Sequence, residues 1–418
     1  MPASPWSSAV RANVTLVANG QKDAFARLRV SDAVELFAAA CDVDEQPLHY
    51  ENTTTGSGSA LFVLDKSSVE LEVTGGTDSV VRQTKQYIRY RPGKSQVVLV
   101  TGNLGGQQAG VTKEIGYFDD NDGLFFRLTN SGASVVRRSS VSGSPQEFEE
   151  LQANWNLDPM DGTGPSGITL DWTKFQVFVI DFGWLGAAGV RWGVAHNNQI
   201  FYVHQAALSN VISTVFMQNP TLPVRWRIAS SGGAGSMDAT CASVQSEGGF
   251  HSLGNLVSVS RATALTYDQT NPTIEWKPLF TVRLKTAYVR GQVSPVDFGL
   301  LAAGDAVFEY IVVVNATLAG GTSTFADIPG SDALEMNTEY STLTLVDGTD
   351  NRVLARGWGQ ASTSGSKLNP ASFTQSLASD VPVCSSSAGV ADTLTLAVRP
   401  INGGSTSYYG NIALREFI

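Results

Sequence analysis

Apolar and polar residues alternate along most of this chain with a period of two, which is the pattern of half-buried β-strands. Successive strand side chains point to opposite faces of a sheet, whereas a helical face repeats every ~3.6 residues. Before residue 250 we predict strands at residues 87–91, 97–101, 124–128, 134–138, 175–182, 189–194, 199–204 and 224–228. Beyond it we predict strands at residues 256–260, 274–290, 307–315, 342–346, 393–399 and 411–416.

The predicted strands are separated by residues that favour tight turns. The separators are Pro92-Gly93, Asp122-Gly123, Asn130-Ser131-Gly132 and Asn197-Asn198. The chain holds 41 glycines among its 418 residues, and Gly supplies the positive φ that many turns need. Because Asn197-Asn198 stands between two alternating runs, we predict a two-residue hairpin there.

Many short strands at regular spacing predict an all-β chain of two β-sandwich or jelly-roll-like domains. The length also favours more than one domain. We predict an N-terminal anchoring arm over residues 1–60, a first sandwich over residues 61–251 and a second over residues 252–418. Two short helices are expected within this plan, one over residues 32–40 and one over residues 145–152, each after a capping serine.

Composition and charge narrow the possible partners. Charged residues make up only 16% of the chain, against about 25% in a typical globular protein. The net charge of −10 repels phosphate, so we expect no nucleic-acid partner. The longest apolar run, residues 175–190, is interrupted by Asp181 and is too short to cross a bilayer, so no membrane insertion is expected. The first residues lack the basic and apolar pattern of a secretory signal.

The three cysteines, Cys41, Cys241 and Cys384, are far apart in the sequence. An odd and sparse set does not form a disulfide framework. We interpret them as small buried apolar side chains in a chain made in a reducing cytosol.

Two short motifs resemble ligand-binding loops. Residues 91–95 match the end of a phosphate-binding loop, but that pattern needs a glycine where Ile88 stands, and a strand pattern follows in place of a helix. We therefore predict a Pro-Gly turn there. Residues 119–123, with three aspartates, resemble a calcium loop whose glycine comes too early. A tight acidic turn is the simpler interpretation, and a structural ion near Asp119–Asp122 is left open.

The remaining candidate residues do not form a recognisable catalytic or metal pattern. The histidines are His49, His196, His204 and His251, of which His196 and His204 could form a metal pair across adjacent strands. Carboxylates that a glycosidase pair could use are Asp158, Asp161, Asp171, Asp181 and Glu247. No Gly-x-Ser-x-Gly nucleophile elbow is present. We therefore assign no catalytic, cofactor-binding or metal-binding residue, predict that no cofactor is used, and predict that the chain is not an enzyme.

Aromatic residues are concentrated in the middle of the first predicted domain. They are Trp155, Trp172, Phe175, Phe178, Phe182, Trp184, Trp192, Phe201 and Tyr202. An exposed row of such rings would suit stacking against sugars, but burial in a sandwich core is the expected role.

Several strings of this sequence, taken in order along the chain, are distinctive as wording. They are DAFARLRVS at 23–31, RQTKQY at 82–87, YRPGKSQ at 90–96, GYFDDNDG at 116–123, WNLDPMDGTGPSG at 155–167, DFGWLG at 181–186 and the stretch 279–288. Together they resemble phage virion structural proteins of the tail-fibre, appendage or capsid-surface type that are common in aquatic phages. The first string is similar to an opening found in such proteins, which usually have Gly where Ala26 stands.

The resemblance implies a structural role in the virion, made in the host cytoplasm, in particle assembly and host adsorption. A tail- or fibre-associated component is the first expectation, and a capsid-surface decoration or head-fibre protein is the alternative. Other virion proteins are the implied partners, together with further copies of the chain in a homotrimer. A carbohydrate-binding module that contacts a host surface glycan and a polysaccharide depolymerase are further alternatives.

Overall fold

The structure is a computed structural model. The residues that the structure describes are 33–185, 188–248, 254–261, 263–267, 275–303, 306–346, 352–361, 366–372, 382–403 and 406–418. These residues form β-strands, short turns of 3-10 helix and loops, with no α-helix among them. The strand pairs are antiparallel. The predicted all-β fold class is confirmed.

The first fifteen strands form two sheets that pack as a β-sandwich. They are β1 Ala33–Ala39, β2 Tyr50–Thr55, β3 Ser59–Val63, β4 Ser68–Val73, β5 Ser79–Thr84, β6 Gln96–Asn103, β7 Val111–Phe118, β8 Gly123–Thr129, β9 Gly132–Ser139, β10 Gln146–Leu151, β11 Gln176–Phe182, β12 Gly189–His196, β13 Gln199–Ala207, β14 Val224–Ser230 and β15 Gly235–Glu247. One sheet has the order β13-β12-β11-β6-β15-β4-β3, with β1 paired to β15, and the other has the order β10-β9-β8-β7-β14-β5-β2.

The remaining strands form the sheets of a second sandwich. They are β16 Asn255–Ser260, β17 Leu265–Tyr267, β18 Lys277–Leu284, β19 Gln292–Ala303, β20 Ala306–Val314, β21 Thr317–Ala319, β22 Ala326–Asp327, β23 Leu334–Asn337, β24 Thr342–Thr344, β25 Arg352–Ala361, β26 Ser366–Ser372, β27 Thr393–Gly403 and β28 Thr406–Phe417. One sheet has the order β16-β28-β19-β26, with β17 paired to β28. Another has the order β22-β23-β18-β27-β20-β25, and β21 and β24 form a separate pair.

Each sandwich has its own apolar core, because alternate residues of facing strands point inwards. In the first sandwich Ile115 and Tyr117 of β7 pack in one cluster with Phe178 and Ile180 of β11. A second cluster lies between the sheets of the later strands and contains side chains of β18, β19, β20, β27 and β28. Turns of 3-10 helix at Leu64–Lys66, Gln152–Asn154 and Thr286–Tyr288 connect strands.

Residues 33–60, which were predicted to be part of the anchoring arm, belong to the first sandwich. Residues 33–60 contain β1, β2 and the start of β3, which pair with β15, β5 and β4 in the first sandwich. Tyr50 at the start of β2 is 2% exposed and belongs to the core. Residues 1–32, and the predicted boundary at residues 251–252, lie outside the described residues.

Both predicted helices are wrong. Of the stretch 32–40, residues Ala33–Ala39 are strand β1, because they complete the hydrogen bonding of β15. Of the stretch 145–152, Gln146–Leu151 form the edge strand β10, which pairs with β9 along its whole length. Tertiary pairing therefore overrides the helix propensity of these Ala-, Leu- and Glu-rich runs.

Most predicted strands are present, with two corrections. Residues 87–91 form a single bridge, from Ile88 to Leu222, and the carbonyl of Tyr87 accepts a side-chain hydrogen bond from Gln292 of β19. The long strand predicted at residues 274–290 is the shorter β18, which is followed by a 3-10 turn. No helix in the described part of the chain is long and apolar enough to cross a membrane.

Candidate functional site

The outer face of the seven-stranded sheet carries a network of arginines and glutamates, which we call the arginine face. Its members are Glu114, Arg127, Arg138, Glu147, Glu149, Arg225 and Arg227. They share this face because the residues that alternate with them, such as Ile115 of β7 and Trp226 of β14, point into the core. This face of the sheet is therefore neither apolar nor freely solvated.

Glu114 is the centre of this network. Its carboxylate is buried and accepts hydrogen bonds from Arg127 at 2.7 Å and from Arg227 at 2.9 Å. Arg127 also bonds Glu147 of the edge strand β10 at 2.9 Å, and Arg138 bonds the same carboxylate at 2.8 Å. The arginines thus tie β10 to the inner strands of the sheet.

The arginines also cover an apolar floor formed by Phe118, Phe125 and Val136, which are fully buried. The guanidinium of Arg138 lies 4.9 Å from the centre of the Phe125 ring, and that of Arg225 lies 5.4 Å from Phe118. Cation–π contacts of this kind stabilise a charge over an aromatic face. The rings are therefore closed to ligands rather than offered for stacking.

A shallow groove of about 480 Å³ runs along this face. Its lining includes Glu114, Arg127, Glu149 and Arg227, with small hydroxyl side chains around them. Burial alone would raise the pKa of Glu147 beside it, but hydrogen bonds from Arg138 and Arg127 outweigh burial and lower that pKa. A carboxyl group that acts as a general acid needs a raised pKa. The lowered pKa of Glu147 therefore fits a role in binding the two arginines and does not fit proton donation.

The predicted calcium-like loop is an ion-paired turn. Asp119 accepts the backbone N–H groups of Asn121 and Asp122 with one oxygen, and its other oxygen lies 2.6 Å from Arg290 of the second sandwich. Asp120 pairs with Arg225 at 2.6 Å. Both carboxylates are therefore paired with arginines. This pairing fits the interpretation of the loop as a tight turn.

The phosphate-loop motif is a turn, as predicted. The amide of Lys94 donates to the carbonyl of Arg91 at 3.3 Å, and Gly93 between them has a φ of +76°. Ser95 donates to Asp181 at 2.6 Å. Ser95 and Asp181 are both fully buried, so the end of this motif stabilises the interior of the sandwich.

The histidines proposed as a metal pair do not come together. His196 pairs with Gln199 beside the hairpin turn, whereas His204 pairs with Trp192 farther along the same two strands. Burial lowers the pKa of His204, and its Nδ1 accepts the amide of Asn156 at 3.4 Å. The described residues contain no group of three or more potential metal ligands. His251 lies outside the described residues.

The carboxylates considered for a glycosidase pair each serve a local structural role. Asp158, Asp161 and Asp171 accept hydrogen bonds from backbone amides in turns. Threonine hydroxyl donors, followed by backbone amides, lower the pKa of Asp161 and of Asp171. Asp181 is fully buried and accepts bonds from Ser95, Arg191 and Tyr202. Glu247 ends β15 opposite Ala33.

The concentrated aromatics lie mostly in the core, as expected. The buried ones are Trp155, Phe178, Phe182, Trp192 and Tyr202, and the partly buried ones are Trp172, Trp184 and Phe201. Phe175 is 44% exposed. A ring that was not among the sequence candidates, Trp358 of β25, is 62% exposed. The glycines on either side of it were the available signal.

Comparison with known proteins gives no family. No protein-family model matches the chain, and no curated protein sequence matches it. Solved structures with partial likeness include a glycoside hydrolase family protein from Mycobacterium thermorestibile. It is 11% identical, the match covers 50% of this chain and 99% of that one, and the TM-score is 0.35.

Two other solved structures are similar to the same low degree. A legume lectin-like domain from Entamoeba histolytica is 12% identical, with 52% of this chain and 99% of that one covered and a TM-score of 0.31. The receptor binding domain of botulinum neurotoxin D is 9% identical, with 62% and 61% covered and a TM-score of 0.31. Likenesses this weak carry no conclusion about function.

Proposed function

We propose that this chain is a structural component of a phage particle, associated with the tail or a fibre, where it contributes to assembly and host adsorption. Its partners are then other virion proteins and further copies of itself in a homotrimer. The trimer rests on the resemblance to phage appendage proteins alone. After synthesis in the host cytoplasm, the chain is located in the virion.

The observation that carries the proposal is the role of the segments by which the chain resembles virion proteins. Two of these segments provide contacts that join the sandwiches. The carbonyl of Tyr87 accepts a hydrogen bond from Gln292 of β19, and Asp119 pairs with Arg290 just before that strand. Tyr87 and Gln292 are both buried. We call this set of contacts the junction.

Further contacts strengthen the junction nearby. Lys85 lies 3.5 Å from Asp392, and the amide of Ser387 donates to Glu51 at 2.9 Å. Lys85 and Asp392 are each about 13% exposed, so this ion pair is partly shielded from solvent.

The other similar segments bond within the first sandwich. Asp158 closes the loop of residues 158–166 by accepting the amides of Met160 and Ser166. Trp184 donates its backbone amide to the Tyr90 hydroxyl at 2.9 Å, and the Tyr90 ring stacks on Phe182. Segments that fix loops and join sandwiches are what a rigid building unit needs. This use favours an architectural role over a catalytic one.

The anchoring arm is proposed for residues 1–32, because residues 33–60 are built into the first sandwich. Deleting residues 1–32 should leave circular dichroism and the unfolding midpoint unchanged, while the shortened chain no longer joins particles assembled in infected cells. Deleting residues 1–50 provides the contrast, since it removes β1 and the core residue Tyr50 and should destabilise the sandwich. If the chain lacking residues 1–32 is incorporated at the normal level, the anchoring proposal is wrong.

A further inference from the structure

Trp358 stands apart from the other tryptophans of the described chain. Trp155, Trp192, Trp226 and Trp276 are at most 9% exposed, whereas Trp358 is 62% exposed. It lies on β25, the edge strand of its sheet, directly opposite Glu309 of β20. A large aromatic side chain left in solvent on a regular strand is a candidate contact residue.

The strand beneath Trp358 holds the ring in a defined place. A Cβ atom at Gly357 would lie 2.4 Å from the Tyr310 hydroxyl, and one at Gly359 would lie 2.4 Å from the Phe308 ring. Only glycine therefore lets β25 lie this close to the two aromatic side chains of β20. With both neighbours packed downwards, alternation directs Trp358 to the outer face.

Two guanidinium groups accompany the exposed ring. The buried Glu309 accepts hydrogen bonds from Arg356 and Arg399, the latter at 2.5 Å. Burial alone would raise the pKa of Glu309, but these two bonds outweigh burial and lower it. Arg399 also lies 4.7 Å from the centre of the Trp276 ring. The carboxylate thus fixes both arginines and leaves this patch with one excess positive charge.

Arg356 is the arginine that a ligand can reach. Its side chain is 54% exposed, against 28% for Arg399. A fixed guanidinium beside an open indole matches a ligand that combines a flat C–H face with a carboxylate. The indole face attracts the C–H face, and the guanidinium can bind the carboxylate through two parallel hydrogen bonds.

We propose that Trp358 and Arg356 form a binding site for an acidic polysaccharide, with a uronic acid ring stacked on the indole and its carboxylate on Arg356. The positive charge of the patch within a chain of net charge −10 favours an anionic ligand. The exposed large apolar side chains of β25 are Val353 and Trp358, so this strand offers little of the apolar area that forms the buried core of a protein interface. This inference does not rest on the proposed role of the protein in a phage particle.

The test is a titration of the purified full chain with polygalacturonate oligosaccharides and, separately, with neutral dextran oligosaccharides. The chain should bind the acidic sugar and bind the neutral one at least tenfold more weakly. Trp358→Ala should weaken binding of the acidic sugar at least tenfold, Trp358→Phe should retain most of it, and Arg356→Gln should remove the preference for the acidic sugar. Phe148→Ala is the matched control, since Phe148 is another exposed ring beside an arginine, Arg137.

Each alternative result overturns the proposal. The first is that the natural chain does not bind polygalacturonate. The second is that the natural chain and Trp358→Ala bind polygalacturonate equally well. The third is that the natural chain binds polygalacturonate and dextran with equal affinity. Loss of self-association in Trp358→Ala with sugar binding unchanged would assign the ring to a protein interface instead. Circular dichroism of every variant separates these outcomes from misfolding.

Discussion

Lys113 is a cation on the core side of β7, and its side chain is 1% exposed. Its ammonium group donates to the carbonyls of Leu104 and Gly106 at 2.5 and 3.1 Å, which fixes the loop after β6. Burial lowers the pKa of Lys113 to about 8. The two carbonyls accept hydrogen bonds from the Lys113 ammonium group but carry no negative charge that would offset the effect of burial on its pKa.

This lowered pKa predicts a pH-dependent stability. Between about pH 8 and pH 10 the unfolded chain binds the Lys113 proton and the folded chain does not, so the free energy of unfolding rises with pH, by at most about 1.4 kcal/mol per pH unit. The difference between the natural chain and Lys113→Met, measured by urea unfolding, should show this rise, because the other titrating groups cancel in the difference. A difference that stays flat or falls across this range would contradict a buried, deprotonating lysine.

At the scale of single elements, the hairpin between β12 and β13 formed as its sequence predicted. Asn197 and Asn198 have φ values of +48° and +64°, and His196 pairs with Gln199 across the turn. Two consecutive left-handed residues define the type I′ turn that suits the twist of paired strands.

The hairpin therefore predicts that two double variants differ in stability. Replacing Asn197 and Asn198 by Ala should destabilise the first sandwich by about 1–2 kcal/mol, because an L residue with a Cβ pays a steric cost at positive φ that Asn offsets by local hydrogen bonding. Replacing both by Gly should be close to neutral. Urea unfolding of the three chains measures this. Equal loss for Ala and Gly would place the effect in the asparagine side chains instead of the backbone.

Elements with strong alternation and clear turn residues could be predicted from the sequence, and elements decided by distant partners could not. The run Gln146–Leu151 has helical propensity, yet Arg127 and Arg138 hold Glu147 in a strand. These arginines lie 20 and 9 residues from Glu147 along the chain, so the local pattern of residues 146–151 does not show that they lie beside β10. The error lies in tertiary pairing, not in the local pattern.

The same limit applies to the candidate sites. The acidic turn at Asp119 was recognised, but its partner Arg290 is 171 residues away in the sequence. The exposure of Trp358 follows from the packing of Tyr310 and Phe308 under its neighbouring glycines. The register of β20 and β25 places the two glycines opposite Tyr310 and Phe308, and this register cannot be read from the sequence.

At the scale of the whole molecule, the junction sets how the two sandwiches are held together. We predict that Arg290→Glu, which places a carboxylate against Asp119, loosens the junction while each sandwich stays folded. The Asp119–Arg290 pair is partly exposed, so the expected effect on stability is small, about 1 kcal/mol or less. Small-angle X-ray scattering should show a larger radius of gyration for this variant. Lys174→Glu, at an exposed lysine that takes no part in the junction contacts, should leave the radius unchanged. A compact Arg290→Glu chain would show that this pair does not hold the sandwiches.

The central claim is that this chain is a building component of a phage particle. Electron microscopy of purified particles carrying a gold-labelled tag on this chain tests it most directly. We predict that gold marks a fixed position on intact particles, at the tail or its fibres, in copy numbers that fit whole homotrimers. Labelling on the capsid surface would move the component to a decoration or head fibre. Particles that carry no label, from cells that make the tagged chain in full, would contradict the account.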